Sequence, residues 1–394
     1  MAANDPESVV REEADRIAPA LIAIRRDLHR NPELAFEEHA TAARVAEELG
    51  RLGIAARTGV GRTGVVGMIE GGRPGPTLLI RADMDALPIH EQTGLDFASA
   101  QDGRMHACGH DLHTTTLLGA AAVLKRLAPS FAGRVMLVFQ PAEEILEGAA
   151  AMIADGILDE AKPDYALGFH NWPYQPVGSI AYVNGACQAA SDAFDIVFRG
   201  RSGHAAHPHQ AIDPVVGAAL FIGQLQTLVS REVNPLSPAV VTVGHIQGGT
   251  VRNIIPDAVT LKGTVRTLDA TARDAVEAGM RRLLAGIETG LRLPSEFVYA
   301  RKVPPLVNDA PLLDRVLGTM RRTFGEAAVI EGAASMGAED FAYFADAMPA
   351  AHLRIGSGTP GRSDSLHNSA YQPDERSITI GVEALSRAAL DILR

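Results

Sequence analysis

The feature that most constrains the fold of this chain is a set of short apolar runs, each leading to acidic residues or to a histidine. Every run has the length and composition of a buried β-strand, and stretches with helical spacing lie between them. Alternating strands and helices predict an α/β fold, in which helices cover both faces of a mainly parallel sheet. The runs are Thr77–Ile80, Val135–Phe139, Tyr165–Phe169 and His352–Ile355.

The residues that follow these runs predict where a functional site lies. Ligands bind beyond the carboxyl ends of the strands in open α/β sheets. We therefore expect one edge of the sheet to collect the acidic and imidazole groups that come after the predicted strands. These groups are Asp83, Asp85, Glu143, Glu144, His170 and, on the loop after the last run, His367.

Apolar residues at helical spacing predict the helices. The first helix ends at the Asn31-Pro32 pair and the second at Gly53. The helices predicted for the first half of the chain are Pro6–Asn31, Glu37–Leu52, Thr114–Leu127 and Gly148–Ala154.

The middle of the chain has a different order of elements. Between residues 192 and 303 the pattern predicts the βαββαβ order of a ferredoxin-like unit. The Pro304-Pro305 pair closes this unit, and a helix predicted from Ala310 to Arg322 returns the chain to the first part. We expect a catalytic, metal-binding domain of residues 1–187 and 305–394, with an inserted lid or dimerisation domain of residues 188–304.

Composition excludes several classes of protein. A length of 394 residues suggests two domains, and a net charge of −11 without a basic run argues against nucleic-acid binding. Two distant cysteines, Cys108 and Cys187, are too few for a disulfide framework and fit a reducing compartment. No apolar run is long enough for export or for spanning a bilayer. We therefore expect a cytoplasmic protein that does not bind membranes.

A cluster of one thiol and three imidazoles in the stretch from Met105 to His113 predicts a metal site. Gly109 between Cys108 and His110 allows a tight turn, so that both side chains can reach one cation. The alternatives are a histidine-rich surface loop or a buried structural cysteine. The candidate ligands exceed the usual three of a one-zinc catalytic site, and two cations sharing a water would use them all. They are Cys108, His110, Glu144, His170 and His367.

This donor set suits Zn²⁺, Co²⁺ and Ni²⁺ and, less ideally, Mn²⁺. Of the neighbours Glu143 and Glu144, one can ligate while the other carries a proton from water to a leaving amine. Taken alone, the acidic run at residues 143–147 also fits a first helical turn, where carboxylates face the positive end of the helix dipole.

Several long motifs follow one another over essentially the whole chain: Arg81–Pro88, His106–Asp111, Gln140–Glu144, Gly203–Ala206 with Pro208-His209, Asn253–Pro256, Gly263–Arg266, Gly337–Phe341 and Leu366–Asn368. They resemble the aminoacylase and carboxypeptidase type of dinuclear metallopeptidases, the peptidase M20 family. Within that family the chain is most similar to the amidohydrolase branch of hippurate hydrolases, N-acyl-amino-acid amidohydrolases and auxin-conjugate hydrolases.

The resemblance assigns roles to individual residues. It implies two divalent metal ions per subunit, with Mn²⁺ or Zn²⁺ expected first and Ni²⁺ or Co²⁺ as alternatives, and Glu143 as general base and acid. It implies a homodimer or a higher homo-oligomer, in which His204 reaches the partner's site and supports the oxyanion. It implies that Asn253 and Arg266 hold the substrate, and that Arg266 binds the carboxylate of the substrate. Asp85 is implied to support a metal ligand. The metal ligands that the resemblance implies are Cys108, His110, Glu144, His170 and His367.

Each role in the predicted lid has a structural alternative. His204 has two histidines nearby in the loop, Asn253 fits a turn, and Arg266 fits an ordinary surface cation. Glu339 and Asp340, in the motif Gly337–Phe341, fit a cap of the following helix as an alternative to substrate contact.

The resulting expectation is an enzyme that cleaves the amide bond of N-acyl amino acids or related small conjugates. A dipeptidase or a small-molecule deacetylase with the same site is the first alternative. A metal-free amidase that uses Cys108 as nucleophile, and a non-catalytic binding protein, are the others.

Overall fold

A computed structural model describes residues 6–359, 361–362 and 365–394. Its helices are α1 Pro6–Arg30, α2 His39–Arg51, α3 His110–Leu127, α4 Gly148–Ala154, α5 Ile157–Ala161, α6 Pro214–Thr227, α7 Ala270–Leu291, α8 Ala310–Phe324, α9 Ala342–Ala347 and α10 Arg376–Ile392. Its strands are β1 Ala56–Val60, β2 Gly64–Glu70, β3 Arg73–Asp83, β4 Ala132–Gln140, β5 Tyr165–Pro176, β6 Ile180–Tyr182, β7 Ala186–Gln188, β8 Ala190–Arg199, β9 Gly203–His204, β10 Ala239–Gly248, β11 Ile254–Ile255, β12 Ala258–Thr267, β13 Ser295–Arg301, β14 Leu306–Val307, β15 Val329–Glu331 and β16 Ala350–Gly358.

The chain forms two compact units. The first contains the chain as far as Gly185 together with Val307–Ala333 and Asp340–Arg394. The second contains Ala186–Leu306 and Ala334–Glu339.

The first unit is built on an eight-stranded sheet in the order β1-β2-β4-β3-β5-β16-β6-β15. The four central strands β4, β3, β5 and β16 are parallel to one another. Both faces of this centre are covered: Leu78 and Ile80 belong to the main apolar core, and Leu79, which points to the opposite face, is also fully buried. The expected α/β fold with a mainly parallel, helix-flanked sheet is confirmed.

The second unit contains a four-stranded antiparallel sheet in the order β10-β12-β8-β13. Helix α6 lies in the chain between β8 and β10, and α7 between β12 and β13, so the elements follow the βαββαβ order. Its own apolar core includes Phe194, Phe221 and Met280. The short strands β9 and β11 form a separate antiparallel pair.

Two local expectations were wrong. Helix α3 begins at His110, not at Thr114, because Gly109 adopts a φ of +86° and starts the helix four residues earlier. The polar residues of its first turns are buried, so they do not show the exposed face that helical periodicity requires. His170 lies inside β5 and not after its end. Within the part of the chain that the structure describes, no helix has the length and apolar character needed to cross a bilayer.

Candidate metal centre

The first unit brings together all of the predicted metal ligands. Cys108 lies in the loop before α3, and His110 is the first residue of that helix. Glu144 lies in the loop after β4, His170 within β5, and His367 in the loop after β16. Four separate segments of the unit therefore supply donors to one place.

The donors form two sets of three that share one thiol. The ligand atoms of Cys108, His110 and His170 lie within 4.8 Å of one another, and so do those of Cys108, Glu144 and His367. The Sγ atom of Cys108 is 3.4 Å from Nε2 of His170, and Nε2 of His367 is 3.4 Å from Oε1 of Glu144. This is the arrangement that two neighbouring cations with a common thiolate would require.

Hydrogen bonds to the opposite ring nitrogens direct the candidate imidazole ligands. His170 donates from Nδ1 to the carbonyl of Asn171 at 2.6 Å, which leaves the lone pair of Nε2 for a cation. Nδ1 of His110 lies 3.2 Å from Oδ1 of Asp85, so its Nε2 likewise faces the site. Asp85 therefore contacts a candidate ligand, as the resemblance implied.

His113 is close to the donors but is fully occupied by other partners. Its Nδ1 donates to Asp83 at 2.5 Å, and its Nε2 accepts the backbone N–H of Asn171 at 2.8 Å. The group formed by Asp83, His110 and His113 is therefore a hydrogen-bonded support.

Asn171 fixes the turn that carries Cys108. Its Nδ2 donates to the carbonyl of Cys108 at 2.7 Å, and its Oδ1 accepts hydrogen bonds from the hydroxyl groups of Ser357 and Tyr371. A Cβ atom on Gly109 would lie 2.3 Å from Nδ2 of Asn171. Only glycine fits this turn, because the position combines positive φ with this close approach.

Burial and neighbouring charged groups set the electrostatics of the donors. Burial acts to lower the pKa of His110, but Asp83 and Asp85 outweigh it and raise the pKa to about 10. Burial, reinforced by Glu144 and Glu143, raises the pKa of the Cys108 thiol well above its ordinary value. Burial also lowers the pKa of His170. A cation reverses this balance, because metal ligands bind in their deprotonated forms and release protons.

Buried polar atoms that make no hydrogen bond test whether a metal fits here. Nε2 of His110 and Oε1 of Glu144 are buried and form no hydrogen bond. Buried polar atoms are rarely left in this state, and both atoms belong to the sets defined above. One soft thiol, three imidazoles and a carboxylate form a donor set for a borderline divalent cation. The residues therefore fit such ions.

Glu143 lies beside the donors without belonging to either of the two sets. Its Oε2 is 3.9 Å from Nε2 of His110, and the residue is 6% exposed. The segment that carries it is a tight loop with positive φ at Ala142 and Leu146, not the first helical turn that the acidic run would also fit.

The second unit holds the other predicted site residues. His204 pairs with Ile254 between β9 and β11, and the carbonyl of Asn253 accepts the N–H of Ala205 at 3.0 Å. His204 and Asn253 are therefore neighbours, and both are exposed. Arg266 lies on β12, where it is half-buried and donates to the hydroxyl of Ser191.

Four supporting residues were missed or misread in the sequence: Arg81, Asp340, Glu38 and Asn171. Arg81 is fully buried and pairs with Asp83 at 2.7 Å and with Asp340 at 2.9 Å. Asp340 also accepts the backbone N–H of Ala149 at 2.9 Å. The two-residue spacing of Arg81 and Asp83 in a strand puts them on one face, which is a signal for their pairing. Glu38, which accepts the backbone N–H of Ala142, and Asn171, which donates to the carbonyl of Cys108, have no sequence pattern that predicts these contacts.

The fold and the donor set define the class of this protein, a hydrolase with a metal-binding site at the edge of an α/β sheet. The chain belongs to peptidase family M20/M25/M40, whose family model matches residues 79–391.

Relatives of known name agree with this class. The chain is 43% identical over 360 residues to N-acetyl-L-cysteine deacetylase of Bacillus subtilis, covering 91% of this chain and 84% of that protein. It is 37% identical over 373 residues to hippurate hydrolase of Campylobacter jejuni, covering 94% and 96%. It is similar, with a TM-score of 0.85 and 35% identity, to the Bacillus subtilis YXEP protein, described as a dinuclear metal-binding peptidase of the M20 family, covering 96% and 99%.

Proposed function

We propose that this protein is a two-metal amidohydrolase that cleaves the amide bond of N-acyl amino acids or related small conjugates. The observation that carries the proposal is the pair of donor sets that share Cys108, with the carboxylate of Glu143 beside them. We assign metal ligation to Cys108, His110, Glu144, His170 and His367. Manganese or zinc is the first choice of metal, and nickel or cobalt would also suit the donors.

Two divalent cations bound there would polarise the amide carbonyl and lower the pKa of water. Glu143 accepts the proton of the attacking water and returns it to the nitrogen of the leaving amine. The carboxylate is suited to this transfer because it is buried beside the ligands and belongs to neither of the sets that share Cys108.

The second unit, with boundaries proposed at residues 188 and 304, would act as lid and dimerisation domain. We assign His204 to the oxyanion, Asn253 to substrate contact and Arg266 to the substrate carboxylate, which a planar guanidinium binds through two oxygens. Arg266 supports this role because, among the described residues, its hydrogen-bond partner is a neutral serine hydroxyl and no carboxylate pairs with it.

A homodimer is the assembly we propose, in the cytoplasm. Strand β10 lies at an edge of the antiparallel sheet, and edge strands offer unpaired backbone groups to another chain. On α6 the apolar side chains of Val215, Val216 and Leu220 are 46%, 48% and 46% exposed, which is typical of an interaction surface.

A substrate panel tests the proposed function. The purified protein, supplied in turn with Mn²⁺, Zn²⁺, Co²⁺ and Ni²⁺, is assayed with acetyl and benzoyl amino acids and with dipeptides. We expect hydrolysis of N-acyl amino acids that a chelator abolishes. Preference for dipeptides would favour the peptidase alternative, and strict preference for acetyl groups the deacetylase.

The cysteine-amidase alternative is separated by its chemistry. A buried thiol with a raised pKa is a poor nucleophile, because the thiolate is the reactive form. Activity that survives the chelator but not thiol alkylation would establish that alternative.

The variant Glu143→Ala tests the proposed role of Glu143 as the base. We expect it to retain both cations and lose nearly all turnover. Full activity of this variant would refute the assignment of the base.

A further inference from the structure

The segment of residues 141–149, which carries Glu143 and Glu144, is held from outside by three carboxylates. Glu38 accepts the N–H of Ala142 at 2.8 Å, Asp85 that of Glu144 at 2.9 Å, and Asp340 that of Ala149 at 2.9 Å. Each carboxylate thus binds a backbone donor at a different point along the segment.

The segment needs external support because its backbone is strained. Ala142 and Leu146 have φ values of 54° and 60°, in the left-handed region that residues with a Cβ rarely adopt. Such conformations persist only when the surrounding structure holds them. The first strained residue directly precedes Glu143, so whatever fixes the peptide of Ala142 also fixes the origin of the Glu143 side chain.

The side chain of Glu38 does not cap the helix that it precedes. It precedes α2 at the N-cap position, but its side chain makes no cap hydrogen bond. Glu33 instead accepts the N–H groups of Ala40 and Thr41, at 3.0 and 2.8 Å. The carboxylate of Glu38 is thereby available to a segment about a hundred residues further along the chain.

The partners of Glu38 are few and neutral. One carboxylate oxygen accepts from Ala142, and the other accepts from the hydroxyl of Thr63 at 2.5 Å. The side chain is fully buried, and among the described residues no cation pairs with it. Burying a carboxyl group without a cation nearby costs free energy, so a buried carboxyl group at this position indicates a role that compensates for the cost.

Asp85 and Asp340 differ from Glu38 in this respect. Asp85 also contacts the candidate ligand His110, and Asp340 also pairs with Arg81. A change at either position would therefore disturb several contacts at once. A substitution of Glu38 therefore tests the support of residues 141–149 without changing the contacts of His110 or Arg81.

We infer that Glu38 is a positioning residue, which fixes the peptide before Glu143 and so sets the place of the proposed base and of Glu144. This inference rests on the proposed function for its catalytic consequence, whereas its structural part concerns the metal-free protein as well.

Four variants test the inference. Glu38→Met removes the acceptor at similar volume, Glu38→Asp withdraws it by one methylene, and Glu38→Gln keeps one oxygen for Ala142. Thr63→Val is the matched control, because it takes away the other hydrogen bond of Glu38 and leaves Ala142 untouched. Amide hydrogen exchange of residues 141–149 in metal-free protein is measured together with kcat and KM of the metal-loaded enzyme.

In Glu38→Met we expect exchange in this segment to be at least about tenfold faster than in wild type. The kcat should fall about 10- to 100-fold, with KM within about threefold, because a misplaced catalytic group loses turnover and not substrate affinity. Glu38→Asp should show the same change to a smaller degree. Glu38→Gln and Thr63→Val should stay within about threefold of wild type in both measurements.

The outcomes separate the inference from the proposed function. Unchanged exchange in both Glu38→Met and Glu38→Asp would overturn the inference, and so would an equal kcat loss in Thr63→Val. If Glu38→Met does not fold, Glu38→Asp decides. If wild type hydrolyses nothing in the panel, the proposed function fails, and hydrogen exchange alone then decides whether Glu38 holds the segment.

Discussion

Asp85 accepts the backbone N–H of Glu144 at 2.9 Å. The other oxygen of the same carboxylate lies 3.2 Å from Nδ1 of His110. One side chain thus orients an imidazole in one donor set and positions the backbone of a ligand in the other. Groups of this kind fix the tautomer and direction of metal ligands.

Replacing this carboxylate should weaken the site without unfolding the protein. In Asp85→Asn we expect metal affinity or kcat to fall about 10- to 100-fold, because the amide lacks the charge that orients His110. Affinity is measured by competition with a chromogenic chelator. Asp195→Asn, at an exposed carboxylate of the second unit, is the control and should bind metal like wild type. Wild-type affinity in Asp85→Asn would show that His110 is oriented by other contacts.

The shared thiol predicts a specific loss of metal. Since Cys108 belongs to both donor sets, Cys108→Ser should reduce the bound metal from two ions per subunit to one or none, by elemental analysis after gel filtration. Cys187 is the other cysteine of the chain and is also buried, so Cys187→Ser is a matched control that should keep both ions. Two ions in Cys108→Ser would contradict the proposed ligand set.

Gly109 offers a test of the turn itself. An alanine there would combine the strain of a φ of +86° with an approach of 2.3 Å to Asn171. Gly103→Ala is the control, since Gly103 has a φ of +72° and nothing within 4 Å of an added Cβ. We expect Gly103→Ala to lose about 1 kcal/mol of unfolding free energy and Gly109→Ala about 2–4 kcal/mol, together with metal affinity. Equal losses in urea denaturation would show that Asn171 moves aside at little cost.

Some of this site follows from the sequence because it depends on local patterns. The predicted helices Pro6–Asn31 and Gly148–Ala154 agree with α1 and α4 of the structure to within one residue. The apolar runs also marked the sheet edge at which the five donors meet. These features need only strand and helix periodicity and the polarity of the residues that follow.

The contacts that hold the site do not follow from such patterns. Glu38 resembles an ordinary helix cap, and its bond to Ala142 depends on how two distant segments pack. Asn171 likewise acts through a turn that is distant in sequence. The predicted start of α3 was wrong because a helical turn of buried polar residues does not show the alternation of apolar and polar faces that marks a helix in the sequence. These features depend on how segments that are distant in sequence pack together, and local sequence patterns do not encode that packing.

A buried histidine behind the site predicts a pH dependence of stability. His29 lies 2.7 Å from Asp111 and 3.2 Å from Glu91. Burial acts to lower the pKa of His29, but these carboxylates outweigh burial and raise it above its ordinary value. A group with a raised folded-state pKa stabilises fully below its unfolded pKa of about 6.5, and the contribution disappears as pH rises through the folded value.

His29→Gln should therefore lose the most stability in mildly acidic solution. We expect a loss of about 1–3 kcal/mol near pH 6, shrinking as the pH rises through the raised value. Urea denaturation of variant and wild type over a pH series gives the difference. His90→Gln is the control, because His90 pairs with Asp102 at the surface and should change stability little at any pH. A loss for His29→Gln that grows with pH would reverse the assigned sign.

Mixing two inactive variants is the most direct test of the proposed dimer, in which His204 of one subunit acts in the site of the other. Neither His204→Ala nor Glu143→Ala should be active alone. If each site takes His204 from the partner, a mixed dimer of the two variants regains one intact site. Half of the dimers are mixed after random assembly from equal amounts, so about a quarter of wild-type activity should return. Co-expression with two affinity tags and a kcat measurement on the mixture check this.

The double variant mixed with wild type separates this explanation from simple dilution. A subunit that lacks both residues inactivates its wild-type partner when His204 acts across the dimer, because that partner then lacks the donated imidazole. In an equal mixture activity falls to about a quarter of the value for the same total protein. If His204 acts within its own subunit, each wild-type subunit stays active and about half remains. Activity of one half here, with no recovery in the first mixture, would place His204 and Glu143 of one site in the same chain.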